Sequence, residues 1–248
     1  MADRRVAIVT GGSRGMGLEI SRDFARRGFA VVVASRKVDA CQAVAAELQA
    51  ETGADAIGIG CHVGHWSECA RLVERALETF GRIDTLVNNA GMSPPYADLA
   101  EVTEEMFDKV VGVNLKGPFR LAVLAGQAMR RGGGGQIVNI GSVAELQPGV
   151  FELPYAAAKA GLSTLTVGLA RAFGPTVRVN GVLPGMFRTD ISRHWTDEIW
   201  ATKDRVPLRR VAEPAEVVGA VRYLTSPDSS YTTGAVIKVD GGLAWAPA

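Results

Sequence analysis

The sequence is sparing in several residues that mark particular functions. Its 248 residues hold three cysteines, Cys41, Cys61 and Cys69, with no CxxC pair among them. Three cysteines cannot all pair, and this spacing suits a reducing compartment rather than a disulfide framework. Histidine is equally scarce, with three in all, yet His62 and His65 join Cys61 and Cys69 in a Cys-His-x-x-His-x-x-x-Cys cluster. That cluster straddles an expected strand end and helix start, so four ligands would not converge in a tetrahedron and no metal is expected. An excess of charge of either sign is missing too. The 27 Lys and Arg against 26 Asp and Glu leave a net charge of +1, which gives no electrostatic footprint for nucleic acid or an anionic membrane. Arg130-Arg131 and Arg209-Arg210 are short pairs that read as solvated faces. No apolar run approaches the roughly 18 residues of a membrane span. Arg4-Arg5 precedes an apolar run too short for a signal sequence. The expectation is a cytoplasmic protein without nucleic-acid or membrane partners. Pro/Ser-rich linkers and internal repeats are also absent, so residues 1–248 read as one domain with one large core.

Glycine is plentiful, at 29 residues, and its placement is informative. Thr10-Gly11-Gly12-Ser13-Arg14-Gly15-Met16-Gly17 follows the apolar run Val6-Ala7-Ile8-Val9 and leads into a helix-like stretch. A strand feeding such a turn and then a helix N-terminus aims unpaired backbone N–H groups and a positive dipole end at an anion. Gly11, Gly15 and Gly17 would allow the tight turn, close approach to a pyrophosphate, and close helix–strand packing.

Short apolar runs alternate with helical periods along the whole chain. Strands are expected near Val6–Thr10, Ala30–Ala34, Ala56–Gly60, Thr85–Asn88, Gln136–Ile140, Val177–Leu183 and Ala235–Val239. Between them fall candidate helices at Met16–Gly28, Asp39–Thr52, Trp66–Phe80, Thr103–Arg130, Tyr155–Phe173 and Pro214–Thr225. Strict alternation, with strands such as Val31-Val32-Val33 apolar on both faces, implies an α/β protein: a Rossmann-type, doubly wound, seven-stranded parallel sheet with helices on both faces. Ligands in such sheets lie outside the carboxyl ends of the strands, near the point where strand order reverses.

The fifth expected strand ends at Gly141-Ser142, and thirteen residues later Tyr155-Ala156-Ala157-Ala158-Lys159 lies on an expected helix. Tyr and Lys at i and i+4 share one helix face. Tyrosine, with a pKa near 10, becomes a useful acid or base only when its surroundings retune it, and an ammonium one turn away favours the phenolate.

With these residues in hand the chain resembles the classical short-chain dehydrogenases/reductases over essentially its full length, nearest the 3-oxoacyl-carrier-protein reductase-like group. The glycine turn, Asn88-Asn89-Ala90-Gly91, Asn114, Ser142, Tyr155 with Lys159, Pro184-Gly185 and Asp240-Gly241-Gly242 stand in the family's order and spacing. The resemblance implies an NAD(P)-dependent oxidoreductase acting between an alcohol and a carbonyl. It assigns Ser142 as donor to the carbonyl oxygen, Tyr155 as acid or base, and Lys159 as the group that depresses the Tyr155 pKa and holds the nicotinamide ribose. Asn114 would position a water linking Lys159 to solvent. For the cofactor it implies the turn residues Gly11, Ser13, Arg14, Gly15, Met16 and Gly17, with Thr10 bracing the turn. Ser35 and Arg36 follow the second strand, and His62 and Val63 the third. Asn89, Ala90 and Gly91 would meet the adenosine side, and Pro184, Gly185 and Thr189 the carboxamide.

Charge at the second strand argues the cofactor. NAD binders place a carboxylate there for the ribose 2′-OH, whereas this chain reads Ala34-Ser35-Arg36 and carries Arg14 in the turn. Two guanidiniums suit a 2′-phosphate, so NADP(H) is the preferred cofactor and NAD(H) a possible one. At His62 the family usually has an aspartate that accepts a bond from the adenine amino group; a neutral imidazole could accept one bond.

The segment 186–210 corresponds to the family's substrate loop and carries His194, Trp195, Ile199 and Trp200, which could wall a substrate or pack a lid helix. Glu145, Gln147, Phe151 and Glu152 are placed to line the pocket, and Glu152 would disfavour an anionic group. Ser142, Tyr155, Glu152 and Trp195 are therefore the expected substrate contacts. Arg130-Arg131 is followed by four glycines and Gly174-Pro175-Thr176 is not basic, which weighs against a carrier-protein substrate and for a small or medium ketone, aldehyde or secondary alcohol. An alcohol or polyol dehydrogenase running oxidatively is the alternative, and a non-catalytic cofactor-binding regulator a more distant one, since all four catalytic positions are retained. The resemblance also implies a homotetramer, with the fourth and fifth long helices pairing between subunits and Leu243–Ala248 near another interface.

Overall fold

In the computed structural model of the protein, residues 4–189, 192 and 197–245 are described. The strands are β1 (Val6–Thr10), β2 (Ala30–Ser35), β3 (Ala56–Gly60), β4 (Thr85–Asn88), β5 (Gly135–Ile140), β6 (Val177–Pro184) and β7 (Val236–Val239). They form one parallel sheet in the order β3-β2-β1-β4-β5-β6-β7. The helices that cover it are α1 (Gly15–Arg26), α2 (Val38–Thr52), α3 (Trp66–Phe80), α4 (Glu104–Val111), α5 (Gly117–Arg131), α6 (Leu153–Phe173), α7 (Asp197–Ala201) and α8 (Val218–Leu224).

The double-sided burial of β2 shows why its valine run is a strand and not a helix. Val31 and Val33 pack with Ile20, Phe24, Phe29 and Leu48 on one face. Val32 and Ala34 pack with Leu72, Leu86, Leu121 and Ile137 on the other. Each large apolar side chain so enclosed contributes roughly 1.5–3 kcal/mol relative to exposure, and the period of two places successive residues in opposite layers.

Strand order reverses between β1 and β4, and both ends of that pairing are pinned by side chains. At its start, the Val6 N–H donates to Asp84 Oδ2 at 2.7 Å, and the Arg82 guanidinium holds the same carboxylate at 2.9 and 2.6 Å. At its end, the buried Thr10 hydroxyl donates to the Val87 carbonyl at 3.2 Å and accepts from the N–H groups of Asn89 and Ala90 at 3.0 and 3.1 Å. The expected bracing role of Thr10 is met by these three bonds.

One helix differs from expectation. The period over 103–130 reads as continuous, whereas α4 and α5 are separated by a π-helical turn, Gly112–Lys116. Pro118 supplies a reason, because it has no N–H for the carbonyl four residues back at Asn114. Gly117 supplies another: a Cβ there would overlap the Val63 carbonyl, so the helix passes unusually close to the loop after β3. Likewise the helix expected over 214–225 opens as a 3-10 turn, Pro214–Val217, capped by Glu213 and Glu216, before α8. In segment 186–210, Met186, Phe187 and Val206 are buried and α7 is a short helix. His194 and Trp195 lie outside the described residues.

Candidate active site

A cavity of about 430 Å³ opens at the carboxyl edge of the sheet beside the β1–β4 reversal. Its floor is the turn between β1 and α1. The N–H of Gly12 donates to the Ala34 carbonyl at 3.2 Å, tying the turn to β2. Asn89 Nδ2 donates to the carbonyls of Thr10 at 2.9 Å and Gly11 at 3.3 Å, tying it to β4. Ser13 Oγ donates to Ser35 Oγ at 3.0 Å. The turn therefore stands preformed. Gly11 has φ +63°, a conformation that disfavours side chains, and a Cβ on Gly17 would overlap the Gly11 carbonyl oxygen. Gly17→Ala is accordingly expected to cost about 3 kcal/mol and to lower Tm by roughly 6–12 °C; thermal denaturation with an unchanged Tm would contradict this close approach.

Among the expected cofactor residues, Gly11, Ser13, Arg14, Gly15, Met16, Gly17, Ser35, Arg36, His62, Val63, Asn89, Ala90, Gly91, Tyr155, Lys159 and Thr189 all line this cavity. Pro184 and Gly185 do not border it; Pro184 ends β6, and the Gly185 N–H donates to the Val239 carbonyl at the end of β7 at 3.0 Å. Thr189 approaches Gly15 across the mouth. Sequence reasoning missed Lys37, Ala40, Cys61, Met92, Val113, Ile140 and Gly141 as further lining. Lys37 had a readable signal, its place beside Arg36; the others contribute wall and backbone, which carry no distinctive chemistry.

Two of the four catalytic candidates, Asn114 and Lys159, meet beside Gly91, while Tyr155 lines the cavity and Ser142 and Asn114 do not border it. A Cβ there would lie 3.0 Å from Asn114 Oδ1 and 3.6 Å from Lys159 Nζ, so the carboxamide and the ammonium border one space. Asn114 is fully buried in the π-helical turn; its Nδ2 donates to the carbonyls of Met92 at 2.8 Å and Val110 at 2.9 Å, and its Oδ1 accepts from the Met92 N–H at 3.2 Å. Lys159 Nζ donates to the Ile140 carbonyl at 2.7 Å and lies 5.5 Å from the Tyr155 ring centre. Ser142 follows β5, and its Oγ accepts from the Ala144 N–H at 3.2 Å, which uses a lone pair and not the hydroxyl proton.

Burial dominates the titration of this group. Loss of water pushes Tyr155 up to about 12, with the Ser142 hydroxyl pulling downward and Glu152 and Glu145 upward. Burial likewise brings Lys159 down to about 8, opposed by the Glu145 carboxylate. The expected depression of Tyr155 by Lys159 is therefore not what this arrangement gives: the ammonium is engaged by the Ile140 carbonyl, and desolvation of the phenol outweighs it. Glu145 itself accepts from Ser163 Oγ at 2.6 Å, and burial raises its pKa.

Glu152 borders a smaller pocket with Ser93, Pro94, Tyr96, Met106, Val110, Pro154 and Tyr155, and burial raises its pKa. Tyr96 shapes that pocket by donating to the Val150 carbonyl at 2.9 Å and accepting from the Leu153 N–H at 2.8 Å. Gln147 instead donates to the Ala244 carbonyl at 2.9 Å, and Phe151 is exposed.

The cysteine–histidine cluster is tied into the fold. Cys69 Sγ donates to the Val63 carbonyl at 3.2 Å, and Glu68 accepts from the His62 N–H at 2.7 Å. Among the described residues no group of three or more His, Cys, Asp or Glu is arranged to hold a metal ion, and no helix is long and apolar enough to cross a membrane.

Comparison with known proteins decides the family. A family model described as "Enoyl-(Acyl carrier protein) reductase" matches residues 11–244. The chain belongs to the short-chain dehydrogenase/reductase family. Dehydrogenase/reductase SDR family member 4 of Homo sapiens is 38% identical over 242 residues, covering 96% of this chain and 87% of that protein. L-rhamnose 1-dehydrogenase (NAD(P)(+)) of Azotobacter vinelandii is 37% identical over 247 residues, covering 96% of each. A substituted actinorhodin polyketide ketoreductase solved with NADPH superposes with a TM-score of 0.91 at 35% identity, covering 99% of both chains. Like these relatives, the present short-chain dehydrogenase/reductase is an NAD(P)-dependent oxidoreductase.

Proposed function

We propose that this protein reduces the carbonyl of a small or medium ketone or aldehyde to the alcohol, with NADPH, and that the reaction is reversible. The observation that carries this reading is the convergence of Tyr155, Lys159 and the glycine turn on one cavity whose β2 end is cationic. The lining suits the cofactor: Gly11 and Gly17 leave room that a Cβ would fill, the α1 N-terminus would offer N–H groups to a pyrophosphate, and Arg14, Arg36 and Lys37 line the cavity as cations that would suit a 2′-phosphate. When bound, the cofactor supplies the hydride. Ser142, whose hydroxyl pulls the Tyr155 pKa downward in the ligand-free site, would turn that hydroxyl to the carbonyl oxygen, where negative charge develops. Tyr155, protonated at neutral pH because its pKa is near 12, gives that oxygen its proton. Lys159 would hold the nicotinamide ribose, and the space it borders with Asn114 would admit the water that resupplies the proton.

Glu152, a largely buried carboxyl packed beside Tyr155, weighs against an anionic substrate there. Sugar or polyol oxidation is a second reading, favoured by the 37% identity to L-rhamnose 1-dehydrogenase (NAD(P)(+)). We further propose a homotetramer, supported by large apolar side chains left exposed on helices, namely Trp66 on α3, Phe107 on α4 and Val167 on α6.

Arg36 tests the cofactor assignment. Arg36→Asp replaces a guanidinium by a carboxylate that repels a 2′-phosphate and accepts from a 2′-OH. The ratio of kcat/KM for NADPH to that for NADH is expected to fall by about tenfold or more, since hydrogen bonds to charged groups are worth about 1.5–3 kcal/mol. An unchanged ratio would remove Arg36 from phosphate recognition.

A further inference from the structure

Helix α6 carries Tyr155, Lys159 and Ser163 at i, i+4 and i+8, so the three follow one another along one face. A carboxyl from a neighbouring element lies at the end of that row. Ser163 Oγ donates to Glu145 Oε1 at 2.6 Å, which brings the short 3-10 turn Val143–Glu145 after β5 against this face. The second oxygen, Oε2, is enclosed and has no hydrogen-bond partner among the described residues. It lies 3.2 Å from where a Cβ on Gly141 would stand, and the Ile140 carbonyl, one residue earlier, accepts from Lys159 Nζ at 2.7 Å. Carboxyl and ammonium thus close on the end of β5 together.

An enclosed carboxylate with an unfilled oxygen needs a compensating charge. Lys159 supplies it: burial drives the proton off the ammonium, and the Glu145 carboxylate opposes this. Lys159 and Ser163 in turn oppose the burial that favours a neutral Glu145. Of the other groups around the pair, Glu152 bears on Tyr155, Arg14, Arg36, Lys37 and His62 line the same cavity, and Asn114, beside Lys159 at Gly91, is uncharged. The charge on Lys159 matters to its neighbour. An ammonium has three donors, of which Ile140 takes one, and it favours the phenolate that forms one turn away when Tyr155 gives up its proton.

We propose that Glu145 is a positioning residue for the reduction: seated on Ser163, its carboxylate keeps Lys159 in the ammonium form beside Tyr155. The proposal rests on the reading of Tyr155 and Lys159 as the groups that serve the carbonyl. Glu145→Gln keeps the shape and removes the charge, so Lys159 would lose its proton at lower pH. Reduction by the variant then fails on the alkaline side earlier than reduction by wild type. Tyr155, which stays protonated to about 12, takes no part in that loss.

The test compares wild type, Glu145→Gln and Glu145→Asp as full chains. The kcat for ketone reduction with NADPH is followed across neutral and mildly alkaline pH. The Lys159 midpoint is read separately, by NMR of isotope-labelled lysine side chains in ligand-free protein, with the signal assigned by its loss in Lys159→Met. That midpoint is expected near 8 in wild type and about one pH unit lower in Glu145→Gln, the shift that loss of a close opposite charge produces. The ratio of Glu145→Gln to wild-type kcat is then expected to fall about fivefold between about pH 6 and 8, and Glu145→Asp, which keeps the charge, to hold its ratio within about twofold over that range. Glu145→Met removes the charge with an apolar chain, so the measurement does not hang on one variant folding. A carboxyl that only braced the fold would lower kcat by one factor at every pH and leave the midpoint unmoved; that result overturns the proposal while the proposed function stands. A midpoint that moves while the kcat ratio stays flat takes Lys159 out of the reaction, and the role of Glu145 goes with it.

Discussion

Tyr155→Phe is expected to lower kcat for carbonyl reduction by about 10³ while leaving the NADPH Kd within about threefold. General acid catalysis by one positioned side chain contributes about 10²–10⁴, and the hydroxyl removed here belongs to the α6 residue that lies one turn from Lys159. The ring stays, so its packing against the small pocket with Tyr96 and Pro154 is kept. Single-turnover kinetics separates the step from release. Turnover equal to wild type would transfer the proton donation to another group, with Ser142 the first to examine. Because the phenol titrates near 12, reduction by wild type should show no loss from Tyr155 ionisation through neutral and mildly alkaline pH.

Lys159→Met is expected to abolish most turnover and yet to stabilise the fold. Lys159 is 3% exposed, and burial brings its pKa from 10.5 to about 8. At 1.36 kcal/mol per unit this represents a penalty of roughly 3 kcal/mol for keeping the ammonium charged inside. The lost bond to the Ile140 carbonyl returns about 1 kcal/mol of that. A net gain of about 1–2 kcal/mol at pH 7, or a Tm higher by roughly 2–8 °C, follows. The pH dependence has a definite sign. Between about pH 8 and 10.5 the unfolded chain holds a proton on Lys159 that the folded chain has released, so wild-type stability gains from this group as pH rises through that window. Lys159→Met lacks that gain, so its advantage shrinks above pH 8. Thermal denaturation across that range checks both parts; a Tm below wild type at pH 7 would show that the ammonium stabilises the fold.

The strands and the glycine turn are legible in the sequence because their causes are local. A parallel strand buried on both faces needs an unbroken apolar run, and β1, β2 and β4 begin where such runs do. Tyr155 and Lys159 are legible through helical spacing alone. The π-helical turn that carries Asn114 is not, because it depends on contact between Gly117 and the Val63 backbone, far apart in sequence. The titration of Tyr155 is hidden for a related reason: spacing puts the ammonium one turn away, but only the fold engages it with Ile140 and withdraws the phenol from water. The hydrogen bond from the Gly64 N–H to His62 Nδ1 is likewise one that no residue pattern announces.

The pinning of β1 against β4 bears on how the molecule comes apart. The sheet is two assemblies of three and four strands, β3-β2-β1 and β4-β5-β6-β7, meeting along one short seam of three register pairs. Asp84 fastens one end of that seam and Thr10 the other. The cavity spans it, taking the glycine turn from one assembly and Gly91, Tyr155 and Lys159 from the second. Anything bound there acts as a clamp across the seam, so ligand affinity is converted into resistance to parting of the two halves. The line along which strand order reverses is also the line along which a ligand would pull the scaffold shut.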